Sequence, residues 1–575
     1  MLKRFWPYFS KYKKYLIISC LCVVLECMFE LIIPLLMADI IDVGVATRDS
    51  HYIIVKGVEM IACALIALAM GAIHARCNAL AGQGFGAELR KAEFEKLQSF
   101  SFSNMDHFST SSLVTRLTSD ITILQNALGN GIRPMIRGPV MMVTALIMAV
   151  ILNPSLAIVF LVALPALGIC LFLILRRLRP SYGKMQRALD HVNSVVQENL
   201  TAIRVVKSYV REGYEKEKFA KVNQEFQKTS GHAFHLAVLN MPCFQLVMYA
   251  TIIALLWFGG NMVMIGGMQV GKLTGFLSYV LQILNSLMMI SNVFMLLTRS
   301  MTSAGRILEV MDEAPDICDI PGSTLEVQKG DIAFSHVYFK YAPSAKEYVL
   351  SDISLHFPAG KIIGIVGGTG AAKSSLVQLI PRLYDISEGS LTIDGHPVSE
   401  YPVAHLRDAV GMVLQNNTLF SGTVRENLLW GNEHASEEDL AWACHVSCAD
   451  EFISRLPRGL DTDLGQGGVN VSGGQKQRLC IARALLKHPK VLIFDDSTSA
   501  VDTATAARIF EGLKESLPDA TKIIIAQRVS SIEHADEIVV MENGRVDAVG
   551  THEELFESNG IYQDMVLSQK KGAEL

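Results

Sequence analysis

The chain has 575 residues, of which 50% are hydrophobic and 19% are charged, and its mean hydropathy is +0.32. Because an ordinary soluble domain carries about 25% charged residues, this composition excludes a wholly soluble protein, a disordered chain and a disulfide scaffold. The formal net charge of −5 provides no overall basic field for nucleic acid. The composition therefore predicts a membrane protein with a soluble part attached.

Six apolar segments predict six transmembrane helices. The hydrocarbon core of a bilayer is about 30 Å thick, so a helix needs about 20 predominantly apolar residues to cross it. Asn153 and Pro154 alone separate the third segment from the fourth, which predicts a tight turn. The six segments are 15–37, 53–75, 132–152, 155–175, 236–258 and 273–298.

Two long polar stretches, 76–131 and 176–235, follow the second and fourth spans. Each is too long for a simple loop and has helical patterning, so we expect the membrane helices to continue well beyond the lipid. Lysine and arginine residues precede the first span and follow the fourth. By the positive-inside rule, we expect the N terminus, both stretches and the C-terminal half in the cytoplasm, in a multi-pass protein of the plasma membrane.

The composition changes after Arg299, where a charged helical segment leads into a soluble α/β pattern. Short β-rich runs such as KIIGIV, KVLIF and TKIIIA alternate with amphipathic helices, which indicates a mostly parallel sheet. We therefore divide the chain into a transmembrane domain at 1–310, a linker at 311–325 and an α/β domain at 326–575.

A glycine-rich turn joins the strand KIIGIV to the helix SSLVQLIPRLY. It has nearly the pattern G-x-x-x-x-G-K-[ST], in which backbone N–H groups at a helix N-terminus surround phosphate oxygens. Lys373 is expected to reach the terminal phosphates, and the Ser374 hydroxyl to bind Mg²⁺. Ala372 replaces the second glycine, at a cost of about 1–2 kcal/mol if its φ is positive. The expected ATP-binding residues here are Gly367, Gly368, Thr369, Gly370, Ala371, Ala372, Lys373, Ser374 and Ser375.

Two further segments supply groups for the same chemistry. The strand VLIF ends in Asp495 and Asp496, and an acidic residue at the end of a parallel strand beside a phosphate loop is a suitable Mg²⁺ contact. Between the loop and this strand, a second glycine-rich turn opens a helix and forms another anion-binding nest. This turn consists of Ser472, Gly473, Gly474 and Gln475.

With these motifs in this order, the chain resembles the ATP-binding cassette (ABC) exporters, as a half-transporter of the multidrug type, over nearly its full length. The resemblance implies an all-α six-helix transmembrane domain followed by an α/β P-loop nucleotide-binding domain, with ATP and Mg²⁺ as cofactors. It also implies that two chains pair head to tail, so that the SGGQ signature of each completes the ATP site of the other. Segments 103–110 and 208–215 match the family's coupling segments, and the short outer loops are similar to those of bacterial members.

The resemblance assigns further roles one residue at a time. Tyr341 matches the aromatic residue that stacks on adenine. Gln415 matches the glutamine that senses Mg²⁺, and Asp495 matches the aspartate that coordinates it. Asp502 ends the loop that crosses to the opposite nucleotide site.

Three residues around the expected γ-phosphate depart from the family pattern. Asp496 replaces the glutamate that polarises the attacking water, and a displacement of about 1 Å can cost on the order of a hundredfold in rate. Gln527 replaces the switch histidine and cannot become cationic, and Ala372 is the third departure. Because the signature is intact, we expect a chain with a degenerate ATP site of its own, paired with a different half-transporter that has the consensus glutamate and histidine.

The transmembrane half offers two candidate substrate-contacting faces. Glu26 and Glu30 lie one turn apart in the first span, where each charge costs about 2.5–3.5 kcal/mol. They either attract cationic substrates, pair with His74 or Arg76, or are solvated in a water-filled vestibule. In the sixth span, one helical face either lines a translocation cavity or joins neighbouring helices. Its residues are Gln282, Asn285, Met289 and Asn292.

The leading hypothesis is an ABC-type ATPase that exports amphipathic, drug- or lipid-like small molecules by alternating access, as one half of a heterodimer. One alternative is an ATP-binding membrane regulator or gated channel that has lost pumping. Another is a homodimeric peptide or lipid exporter.

Overall fold

The computed structural model describes residues 2–496 and 501–573, and the chain forms two compact units. The first unit comprises Met1–Leu97 and Ser111–Asp312, and the second comprises Gln98–Thr110 and Glu313–Leu575. The first is helical and the second combines helices with strands, so the predicted fold class, six transmembrane helices followed by an α/β P-loop domain, is confirmed.

The helices as far as Asp312 are long and follow one another closely. Two π-helical turns, Ile40–Val45 and Arg116–Asp120, continue α-helices without a break, and α4 belongs to the second unit. The α-helices are α1 (Leu2–Ser10), α2 (Lys13–Asp39), α3 (Ser50–Gln98), α4 (Phe102–Asp106), α5 (Thr110–Thr115), α6 (Ile121–Leu152), α7 (Pro154–Thr201), α8 (Ile203–Ser208), α9 (Glu212–Val238), α10 (Asn240–Met264) and α11 (Val270–Asp312).

Six helical segments in the described part of the chain are long and apolar enough to cross a membrane, as predicted. Helices α3 and α7 contain 49 and 48 residues, which at about 1.5 Å per residue is about 70 Å. A bilayer with its headgroups is about 40–45 Å thick, so these helices extend beyond the lipid, as the polar stretches predicted. The segments are Lys13–Val45, Ser50–Gln98, Thr110–Leu152, Pro154–Thr201, Glu212–Met264 and Val270–Ile290.

The turn between α6 and α7 lies where the sequence predicts it. The Oδ1 atom of Asn153 accepts hydrogen bonds from the N–H groups of Ser155 (3.0 Å) and Leu156 (3.2 Å). Pro154 begins α7, where the missing N–H is not needed. Elsewhere in the first unit, buried apolar side chains of α2, α6, α7, α10 and α11 form a hydrophobic core cluster.

The strands of the second unit are short and alternate with helices. They are β1 (Ile332–Phe339), β2 (Leu350–Phe357), β3 (Ile362–Gly367), β4 (Glu388–Ile393), β5 (His396–Pro397), β6 (Val410–Val413), β7 (Val491–Asp495), β8 (Thr521–Ile525), β9 (Glu537–Glu542) and β10 (Arg545–Gly550). The helices are α12 (Lys373–Leu379), α13 (Val403–Ala409), α14 (Val424–Leu429), α15 (Glu437–Val446), α16 (Asp450–Ile453), α17 (Gly473–Leu485), α18 (Thr503–Ser516), α19 (His552–Ser558) and α20 (Gly560–Ala573).

These strands, all within the described residues, form two sheets. The larger has the order β10-β9-β3-β8-β7-β6 and is parallel except for the β9–β10 pair, as the alternating pattern predicted. The smaller has the order β2-β1-β4-β5 and is antiparallel, which was not predicted. Two buried apolar clusters pack around the strands.

The register of the larger sheet brings the predicted motifs to one edge. Strand β3 ends at Gly367 and β7 ends at Asp495. Ile525, the last residue of β8, pairs with Ile365 of β3 and with Asp495 of β7. Because the carboxyl ends of parallel strands meet at the same edge, the phosphate loop, the acidic pair and Gln527 emerge side by side.

Candidate nucleotide-binding site

The loop after β3 adopts backbone conformations that its glycines permit. Gly367 has a φ of 156° and Gly370 a φ of 85°, and a Cβ at Gly367 would lie 2.2 Å from the carbonyl oxygen of Met541. Ala372 has a φ of 66° and a ψ of 24°. This is the left-handed conformation that costs a residue with a Cβ about 1–2 kcal/mol, so the loop is strained at its one departure from the pattern.

Lys373, the first residue of α12, is held by the loop itself. Its Nζ donates to the carbonyl oxygens of Gly367 (2.8 Å) and Gly368 (2.9 Å). Burial lowers the pKa of Lys373, and the carboxylates of Asp496 and Asp495 oppose this effect. The ammonium group therefore lies close to both the loop carbonyls and the two acidic side chains.

Ser374 and Asp495, the two expected Mg²⁺ ligands, are in direct contact. The Ser374 hydroxyl donates to Oδ1 of Asp495 over 2.7 Å. Burial raises the pKa of the Asp495 carboxyl, while the Ser374 hydrogen bond and the Lys373 charge oppose this. Hydroxyl and carboxylate oxygens are ligands that Mg²⁺ prefers, so this pair fits a Mg²⁺ ion that also contacts substrate phosphates.

Asp496 is held by two amides. It follows β7 with a φ of 48° and is buried. Its Oδ2 accepts from Nε2 of Gln415 at 3.3 Å and from Nε2 of Gln527 at 2.5 Å. The structure thus brings together three residues that the sequence places far apart, and it directs both amide groups to the same carboxylate oxygen.

Tyr341 lies beside the phosphate loop in an aromatic cluster. Its hydroxyl is 2.8 Å from Oγ of Ser375, and its ring packs edge-on against Tyr384 with centroids 5.0 Å apart. Tyr384 donates to Oδ2 of Asp106 over 2.8 Å, so the expected adenine-stacking residue is one side chain away from the predicted coupling segment 103–110. No sequence motif marks Tyr384, and it was not among the expected site residues.

The signature turn is formed by a helix cap. The Ser472 Oγ accepts from the Gln475 N–H at 3.4 Å, and the Gln475 Oε1 accepts from the Ser472 N–H at 2.9 Å. This reciprocal pair of hydrogen bonds caps the N terminus of α17. Ser472 and Gly473 are exposed. In the described part of the chain, no hydrogen bond joins Ser472 or Gln475 to the phosphate loop.

Asp502 caps the helix that follows the crossing loop. Its side chain accepts from the N–H of Thr505 at 2.9 Å at the start of α18. Positions 497–500 of that loop, which include Ser499 and Ala500, lie outside the described residues.

The acidic residues of the first span pair differently from the predicted alternatives. Arg133 donates to Oε1 of Glu26 at 2.5 Å, and Arg137 bridges Oε1 of Glu26 (2.8 Å) and Oε2 of Glu30 (2.6 Å). Pairing with His74 or Arg76 was one of the three alternatives, and the described structure gives arginines of α6 as the partners instead. The pairing between α2 and α6 was missed because residues 107 positions apart come together only through helix packing.

The predicted face of the sixth span is mixed in character. Asn285 is exposed, whereas Gln282 and Met289 are partly buried. Gln282 Oε1 is buried without a hydrogen-bond partner among the described residues. The side chain of Asn292 lies outside the described part of the structure.

The chain is similar to known transport proteins along nearly its whole length. Residues 16–287 match the ABC transporter transmembrane region, and residues 350–499 match the ABC transporter family. The uncharacterized ABC transporter ATP-binding protein YfiB of Bacillus subtilis is 37% identical over 559 residues, which cover 97% of each chain. An uncharacterized ABC transporter ATP-binding protein of Mycobacterium tuberculosis is 36% identical over 551 residues, which cover 95% of this chain and 94% of the relative.

A solved structure of a bacterial Atm1-family ABC exporter with ATP bound has the same fold. Its TM-score to this chain is 0.83 at 24% identity, and the alignment covers 97% of this chain and 99% of that one.

Proposed function

The chain belongs to the ABC transporter family, and from this premise we propose that it is one half of a heterodimeric exporter whose own ATP site is degenerate. The family couples ATP hydrolysis to transport across a membrane, and this chain has the exporter arrangement of a transmembrane region followed by an ATP-binding domain. The proposal adds that the second half is a different chain with the consensus glutamate and histidine. It also adds that the cargo is an amphipathic, drug- or lipid-like small molecule moved by alternating access.

The environment of Asp496 carries this proposal. A general base must approach its proton to within about 2.6–3.2 Å, and the Asp496 carboxylate is one methylene shorter than the usual glutamate. Its Oδ2 already accepts from both Gln415 and Gln527. Gln527 can hydrogen-bond to a phosphate oxygen but carries no charge to stabilise it. We therefore expect this site to bind ATP and to hydrolyse it slowly.

The remaining residues of the site support nucleotide binding. Lys373 would hold the terminal phosphates, Tyr341 would stack on adenine, and Ser374, Asp495 and Gln415 would hold Mg²⁺. When bound, Mg²⁺ would neutralise charge on the phosphate oxygens. The signature residues Ser472–Gln475 would complete the competent ATP site of the partner.

The first test compares ATP turnover of the full-length chain alone with that of the chain paired with a candidate half-transporter. We expect the chain alone to be slower by about a hundredfold, because its base is displaced by about 1 Å. The double substitution Asp496→Glu and Gln527→His should raise ATP turnover at this site. The matched control is Asp519→Glu with Gln563→His, which makes the same chemical changes at exposed positions.

Fast hydrolysis by the chain alone, abolished by Lys373→Ala, would contradict the degenerate site. No rise in turnover with the restored Asp496→Glu, Gln527→His variant would contradict it as well. ATP-dependent uptake of an amphipathic dye into inverted vesicles separates an exporter from a regulator or gated channel, which would bind ATP without accumulating cargo.

A further inference from the structure

A polar cleft lies between α3 and α6, outside the nucleotide site. It has a volume of about 440 Å³, within the range of small-molecule sites. These helices contain the second and third spans, and the cleft is at the ends of those spans that the positive-inside rule places toward the cytoplasm. The polar side chains that line it are His74, Asn78, Gln83, Gln125, Asn126, Asn130 and Arg133.

The α6 side of the cleft presents a cationic edge. Asn126, Asn130 and Arg133 recur at spacings of four and three on one exposed helical face. The Arg133 side chain is 46% exposed, and only its Nη2 has a hydrogen-bond partner among the described residues, Glu26. The other guanidinium N–H groups of Arg133 are therefore available to a ligand.

The α3 side contains a buried polar group without a partner. Asn78 is 3% exposed, and its Nδ2 donates to the carbonyl oxygen of Gly129. Its Oδ1 accepts no hydrogen bond in the described structure. Leaving such a group unpaired is unfavourable, and an O–H or N–H group of a bound molecule would satisfy it.

The acidic side chains near the cleft do not provide a site for a cation. The Glu26 side chain is 4% exposed, and its Oε1 is taken by both Arg133 and Arg137. Glu30 is paired with Arg137 as well. The two carboxylates and two guanidinium groups balance in charge, and the unpartnered Oε2 of Glu26 is buried. The exposed charge that lines the cleft is therefore the Arg133 guanidinium.

We propose that this cleft binds the anionic headgroup of an amphipathic molecule, a singly protonated phosphate monoester whose oxygens accept from Arg133 and whose O–H donates to Oδ1 of Asn78, while its tail stays in the bilayer. The inference rests on the proposed export function and specifies the cargo class. It replaces the cation-attracting role predicted for Glu26 and Glu30 with a structural role, in which the carboxylates orient the guanidinium groups.

The test measures binding of radiolabelled dodecyl phosphate to the full-length chain in phosphatidylcholine nanodiscs without nucleotide, with empty nanodiscs correcting for partition. Arg133→Gln should weaken binding about tenfold, which is the loss of one hydrogen bond to a charged group. Asn130→Ala should weaken it severalfold while leaving every ion pair intact. Arg176→Gln is the matched control, because it removes an exposed arginine of α7 outside the cleft.

Competition identifies the ligand chemistry. Unlabelled dodecyl phosphate should displace the probe, while dodecyltrimethylammonium, with the same tail, should not. Displacement by inorganic phosphate at equal concentration would overturn the amphipathic part of the proposal. Stronger displacement by the ammonium compound, or unchanged affinity in both Arg133→Gln and Asn130→Ala, would overturn the anion site. Because no ATP is used, either result leaves the test of the nucleotide site unaffected.

Discussion

At Ala372 the backbone adopts a conformation that suits glycine, and the effect of restoring glycine is measurable. Ala372→Gly relieves about 1–2 kcal/mol of strain and loses about 0.4–1 kcal/mol through the freer unfolded chain. We expect a net gain of about 0.5–1 kcal/mol, which raises the unfolding midpoint of the full-length chain by about 1–4 °C.

Ala371→Gly is the control for this change. Ala371, the preceding residue of the same loop, is buried and does not have a positive φ, so the same substitution should lower the midpoint. If Ala372→Gly lowers the unfolding midpoint as much as Ala371→Gly does, the result contradicts backbone strain at Ala372.

The residues of the nucleotide site could be predicted because each belongs to a short, local pattern. Lys373, Ser374 and Asp495 lie next to one another as expected. Ala372 has a positive φ, the condition under which its substitution for glycine was expected to cost stability. Tyr384 and Arg133 could not be predicted in the same way. Their importance comes from what packs against them, and no spacing in the chain encodes that.

One carboxylate in the turn between β4 and β5 holds the segment that leads into β1. Asp394 accepts four backbone N–H groups at 2.7–2.9 Å. Burial alone would raise the pKa of Asp394, but these hydrogen bonds outweigh it and the pKa is lowered. The four donors are Gln328, Lys329, Gly330 and Asp331.

We expect Asp394→Asn to destabilise the nucleotide-binding unit by about 1–3 kcal/mol at neutral pH, because an amide cannot accept at both atoms. A lowered pKa in the folded state gives stability above the unfolded pKa of about 3.9, and this stability is lost as the pH falls through the folded pKa. Unfolding midpoints of the full-length wild type and variant, measured against pH, should therefore converge in acid. A constant difference between the two at every pH would contradict this account.

Among the elements, the helices and the parallel sheet could be predicted and the antiparallel sheet could not. A long apolar run indicates a transmembrane helix, and the alternation of strands with helices favours parallel pairing of the strands. Strand β1 pairs with its neighbour in the chain, β2, but also with β4, across a separation that contains the phosphate loop and α12. Nothing in their own residues selects these partners.

For the whole molecule, the order of motifs predicted the family and the fold class before any contact was known. The departures at Asp496 and Gln527 are the basis on which we propose two unlike ATP sites, which the fold alone does not imply. The membrane helices add a second, independent property, because the balanced acidic and basic groups of α2 and α6 leave Arg133 as the charge available in the cleft.

The central claim is that this chain contributes a signature to a working ATP site and a weak site of its own. The most direct measurement is ATP turnover of the paired complex with either Lys373→Ala or Ser472→Ala in this chain. We predict that Lys373→Ala keeps most of the turnover, whereas Ser472→Ala lowers it about tenfold or more, since it removes a group that contacts the reacting phosphate. Equal losses from the two variants would contradict the claim, because they would mean that both sites hydrolyse ATP alike.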